Sequence, residues 1–152
     1  SVTTTSGTIP FGTLTANTEK FAAHTLTVST NAGSGYGVTI RTAGDPPLTS
    51  GSNNLDKFTG TYATPTSWTD PSGTTANEDT GWFGYTTDDA TFTQFDGNVY
   101  AGPSGTVGDL IVDRASASNN ESNNVGYVIG VNGIQPSGIY TGTVIFVATP
   151  TY

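Results

Sequence analysis

Twelve carboxylates and one imidazole are the residues of this chain that could move protons, and only four cations stand against them. Asp79-Thr80-Gly81 matches a triplet used where two carboxylates share one proton to activate water. A second copy of the chain would have to supply the other carboxylate, and Val128-Ile129-Gly130 loosely fits the segment that closes such a site. The flanking residues argue otherwise. Ala76-Asn77-Glu78 is polar where a strand is needed, and the bulky Trp82 follows, so the triplet reads as a loop returning to a strand. His24 shares a strand face with Ala22 and Leu26, and no G-x-S-x-G turn exists to present it with a serine nucleophile. A surface or edge histidine is expected.

The remaining acids fall into small clusters, Glu78 with Asp79, Asp88 with Asp89, and Asp109 with Asp113. Loops rich in Asp and Asn can supply the about six to eight oxygens that Ca²⁺ takes, which makes Glu78, Asp79, Asp88 and Asp89 the weak candidates for a cation site. The EF-hand spacing is absent, and a solvated acidic surface is the expectation, with no metal and no cofactor. As strand neighbours, Asp88 and Asp89 would point to opposite faces and could not act together on a glycosidic bond. Tyr62, Trp68, Trp82, Phe83 and Tyr85 could stack on a surface glycan, but a chain with 34% hydrophobic residues needs its large side chains inside. Asn120-Glu121-Ser122 is a glycosylation candidate at Asn120.

The composition excludes more than it assigns. Without Cys there are no disulfides, thiolate nucleophiles, zinc–thiolate sites or iron–sulfur clusters. Lys20, Lys57, Arg41 and Arg114 are too few to bind nucleic acid or an anionic membrane in a chain of net charge −8. No Gly-rich phosphate loop occurs, so the glycines read as turns. No apolar run approaches the roughly 20 residues of a membrane-spanning helix. Charged residues make up 11%, against about 25% in an average domain, and Thr, Ser, Asn and Gly take their place. Such uncharged polarity, with few Lys and no Cys or Met, is expected of a chain exported from a prokaryote to its surface or surroundings. The opening Ser1 fits a start after a processing site.

Whatever these residues do, strands must position them. Helix formers are scarce, and no segment repeats apolar residues at helical spacing over three turns. Period-two alternation predicts strands over 21–30 and 36–41, joined as a hairpin by Asn31–Gly35, and over 55–62, 81–87, 91–95, 99–101 and 107–112. Pro65 to Asp79 and the Ser/Asn-rich 116–124 are expected to be loops. Val125 to Val131 alternates again, and Ile139 to Thr149, apolar on both faces, is expected to be a central strand. The sum is an all-β chain, a single β-sandwich of about eight to ten short antiparallel strands spanning 11–152 behind an extension at 1–10.

Two stretches carry a resemblance. Ser29-Thr30-Asn31-Ala32-Gly33-Ser34-Gly35-Tyr36-Gly37-Val38 resembles a hairpin of secreted prokaryotic surface proteins. Gly138-Ile139-Tyr140-Thr141-Gly142-Thr143-Val144 resembles the terminal strand of fimbrial and spore-coat-U-like sandwiches, although the Cys pair of many fimbrial subunits is missing. The resemblance implies an immunoglobulin-like, pilin-like fold and a secreted, non-catalytic subunit of a filament, pilus or surface layer. Its partners would be copies of itself. A strand added to an open sheet edge satisfies a row of backbone groups at once, and the uncharged, β-prone Ser1–Pro10 is the candidate donor, with Val2, Thr4 and Ile9 as its contact residues. The alternative is an extracellular carbohydrate- or calcium-binding adhesion module.

Overall fold

The computed structural model describes the whole chain, Ser1–Tyr152. It holds eleven strands: β1 (Val2–Thr4), β2 (Lys20–Thr30), β3 (Tyr36–Thr42), β4 (Leu48–Ser50), β5 (Asn53–Lys57), β6 (Thr66–Ser67), β7 (Gly81–Thr87), β8 (Val99–Tyr100), β9 (Asp109–Arg114), β10 (Ser118–Val131) and β11 (Val144–Pro150). No helix is long and apolar enough to cross a membrane. The strands form a six-stranded sheet in the order β1-β2-β10-β7-β5-β4, a three-stranded sheet β11-β3-β9, and the small pair β6-β8. The fold is all-β, with sheets packed on a common core.

Alternation sets which side chains enter that core. On β2 the buried residues are His24, Leu26 and Val28; on β3 they are Tyr36, Val38, Ile40 and Thr42. β10 contributes Val125, Tyr127, Ile129 and Val131 from one face, and β7 contributes Phe83 and Tyr85. Each such aliphatic side chain taken out of water contributes about 2 kcal/mol, which is what holds sheets this poor in charge together. The opposite face of β7 and β10 is covered too. Trp68 stacks on Phe58 at 4.8 Å and meets Trp82 edge-on at 6.2 Å. Its ring lies so close over Gly130 that a Cβ there would come within 2.8 Å of it.

Several expectations are corrected. β2 and β3 are not a hairpin: they lie in different sheets, and Asn31–Gly35 carries the chain between them. The physical reason is that two strands with one apolar face each bury more by facing one another than by lying side by side. Gly35 makes the entry possible, with φ +93° and no room for a Cβ beside the Arg114 carbonyl. The pairing is not wholly antiparallel either, since β5 runs parallel to β7 (Asp56 opposite Trp82, Lys57 opposite Phe83). The long connection from Phe58 to Thr80 gives the chain the length that a parallel crossover requires. Residues 91–95 form no strand: Asp89 accepts the Thr91 N–H on Oδ1 at 2.9 Å and the Phe92 N–H on its carbonyl, and the chain curls into a 3₁₀ turn at Thr93–Phe95.

The two ends of the expected pattern are exchanged. The Ser/Asn-rich stretch is not a loop but the first half of β10, paired with β2 from Ser118 opposite Thr30 onward. Its polar side chains bond across the strands, Thr25 Oγ1 donating to Asn124 Oδ1 at 2.9 Å and Ser29 Oγ to Asn120 Oδ1 at 3.0 Å, with Thr27 and Ser122 sharing a bond at 3.2 Å. Ile139–Thr149, by contrast, is not a central strand. Gly138–Thr143 curls, with the Tyr140 hydroxyl donating to the Pro136 carbonyl at 2.6 Å, and β11 begins only at Val144. β11 pairs with β3 alone and forms the rim of its sheet.

Candidate functional site

β11 is an edge strand with an apolar sequence. Val144, Ile145, Phe146 and Ala148 are half-buried, Val147 is 46% exposed, and no strand lies on its far side. Beside it opens a groove of about 1160 Å³ between the two larger sheets, floored by His24, Phe83, Ile129 and Val131. The segment Ser6–Leu14 lies across this groove as a strap. Ile9, Phe11 and Leu14 pack against the core, Phe11 meeting Phe83 edge-on at 6.3 Å. Yet no backbone N–H from Ser6 to Ala16 bonds to another backbone group; the Lys20 ammonium, donating to the Phe11 carbonyl at 3.0 Å, is its one bond to the strands. Apolar contacts hold the strap, and its peptide groups are left to water.

The strap leads back to β1, where two of the donor candidates sit. Val2 lies opposite Val28 and Thr4 opposite Leu26, on the outer edge of β2 in the same chain, and all three residues of β1 are exposed. Ile9 belongs to the strap and is half-buried in the groove. The segment thus touches the body in two ways, by a three-residue ladder and by three apolar side chains.

His24 is the residue that sequence reasoning misplaced. It is 6% exposed, on the inner face of β2, with its ring stacked on Tyr127 at 5.5 Å and edge-on to Phe146 at 5.3 Å. Neither ring nitrogen has a hydrogen-bond partner in the protein, and the Tyr127 hydroxyl has none either. Burial lowers the pKa of His24 and raises that of Tyr127. The signal was its place among Ala22, Leu26 and Val28, all on one face of the strand.

The acidic candidates do not converge. Glu78 and Asp79 are exposed at the start of β7, where the Asp79 N–H donates to Asp56 Oδ2 at 3.0 Å. Asp88 is exposed and accepts from both nitrogens of Asn124 at 2.7 Å. Asp89, its side chain 1% exposed, is held by the Arg114 guanidinium at 2.6 Å, and the same guanidinium reaches Glu121 and, at 3.0 Å, Asn123. Opposite strand faces explain the split of Asp88 from Asp89. Nowhere do three His, Asp or Glu side chains meet in a cluster suited to a metal. A further pair escaped sequence reasoning: the Tyr85 hydroxyl donates to Asp109 Oδ2 at 2.8 Å, and burial raises the pKa of both.

Asn120 is exposed with φ +56°, at the irregularity where β10 slips against β2, and its own N–H donates to Ser29 Oγ at 2.9 Å. Of the five aromatics that could have made a platform, Trp82, Phe83 and Tyr85 are buried, Trp68 lies on Phe58, and Tyr62 packs on Phe92 and Phe95. The exposed aromatic is Phe21, 58% exposed on the outer face, its ring 6.1 Å from Tyr100. Compared with protein-family models, with curated proteins and with solved structures, the chain finds no match.

Proposed function

We propose that the chain is a non-catalytic structural subunit of an extracellular filament, pilus or surface layer of a prokaryote, assembling head-to-tail with copies of itself by β-strand addition. In the same reading the two larger sheets make one pilin-like, immunoglobulin-like sandwich, supported by the inner faces of β2 and β11 meeting at His24 and Phe146. The observation that carries the proposal is the apolar, one-sided β11 standing over a groove whose cover has no backbone bonds to the strands. Residues Ser1–Pro10 of one copy would leave their own β2 edge and run along β11 of the next, with Val2, Thr4 and Ile9 supplying the contacts. Few bonds oppose the departure, for β1 meets β2 over three residues only. β11 offers seven. Each peptide bond exchanged from water to an edge nets about 1 kcal/mol, and the groove adds apolar burial. A contact of this kind joins two different surfaces and does not close on itself, so it propagates.

A glycan-binding adhesion module is the second reading, favoured by the exposed Phe21 beside Tyr100. It expects single particles. Deleting Val2 to Ile9 tests the first reading: the truncated chain should fold as a monomer and, under negative-stain microscopy, form no filaments where the full chain does. Filaments of ordinary length from the truncated chain, or single particles alone from the full chain, would overturn it.

A further inference from the structure

His24 is a costly residue for the floor of an apolar groove. A buried polar group without a partner costs about 1–3 kcal/mol, and the imidazole has two such nitrogens. No acid compensates. On β2 its face-mates are Ala22 and Leu26, with Lys20 further along; on β10 it lies opposite Val125 and stacks on Tyr127; on β11 it meets Phe146. The strap and the curl before β11 bring Thr4, Ser6, Ile9 and Phe11 to the groove and one titratable group, Tyr140. The groups nearest the ring that can carry charge are therefore a lysine and two phenols, none of which favours an imidazolium. The ring also joins the layers, its two faces of contact belonging to different sheets.

We propose that His24 is an acid-sensitive latch on the groove: taking up a proton, it loosens Phe146 and the Ser6–Leu14 strap and frees β11 for an incoming strand. The inference rests on the strand-addition reading and names its regulation. The sign follows from burial, which holds the pKa of His24 below its ordinary value of 6.5. The closed groove keeps the ring neutral, and an open groove lets it titrate normally. Closure is therefore at full strength above pH 6.5 and weakens as the pH falls below it. Each unit by which the closed state depresses the pKa multiplies the open population about tenfold in acid.

The chain holds a single histidine, so one imidazole resonance reports the latch without ambiguity. The experiment follows that resonance through a pH titration and measures hydrogen exchange of residues 7–14 and of β11 near neutrality and at about pH 5, corrected for intrinsic rates. The expected result is protonation displaced below the ordinary range, and exchange in both segments rising about tenfold or more in acid while β3 stays protected. The variant His24→Phe should flatten that rise. Should it fail to fold, the wild-type titration still decides. An ordinary titration, or exchange that ignores pH, overturns the latch. Filaments growing equally fast at both pH values overturn it as a control on assembly while leaving strand addition intact. Acid opening of the groove with no filaments at either pH upholds the latch and counts against strand addition.

Discussion

Around Arg114 every buried charge has its partner, whereas around His24 a buried ring has none, and the two sites lie in the same pair of sheets. The guanidinium binds Asp89, Glu121 and Asn123, and Asp89 also accepts backbone N–H groups from Thr91 and Asp113. Beside it the Thr25–Asn124, Thr27–Ser122 and Ser29–Asn120 bonds stitch β2 to β10 across an exposed face. At the groove, β11 has one neighbour, the strap has no backbone bonds, and Tyr127 and His24 are unpartnered. One region is finished by the chain itself. The other is left in a state that a further strand would complete, and that difference is the ground for the proposed assembly.

If the finished region holds the monomer together, breaking it should be costly. Arg114→Ala leaves the Asp89 carboxylate buried without its counter-charge and should lower folding stability by about 3 kcal/mol in urea unfolding. A loss near zero would mean that the network is incidental. The ladder sets the lower end of the scale: Thr27→Val removes one cross-strand bond on an exposed face and should cost about 0.5 kcal/mol or less in the same assay. A loss above about 2 kcal/mol would show that the outer face, not the core, carries the sheet.

The fold class was legible where alternation is clean. Tyr36, Val38 and Ile40 on β3 and Val125, Tyr127 and Ile129 on β10 fall on the inner faces that their spacing predicts. The polar half of β10 was hidden because Ser and Asn are turn formers by type, and only the partner strand, with its Thr and Ser at matching positions, makes them a ladder. β11 misled for the opposite reason. Its apolar residues suggested a strand flanked on both sides, but hydrophobicity reports burial on a face and says nothing of which edges are paired. His24 and the strap depend on what the two sheets bring together across the core, and no local spacing carries that information. The donor candidates could be named from composition, since Ser1–Pro10 lacks charge, but not their present place on β2.

The central claim is that the first residues of one copy lie along β11 of another, and the absence of cysteine makes it directly measurable. Thr4→Cys combined in turn with cysteine at Ile145, Val147 or Thr149 gives chains whose only disulfide joins donor to edge, a bond that forms when the two Cα atoms come within about 7 Å. The account predicts a ladder of covalent multimers on non-reducing electrophoresis of assembled material from at least one pairing, collapsing to monomer with reductant. Monomer from every pairing, in preparations where filaments are visible, would contradict it.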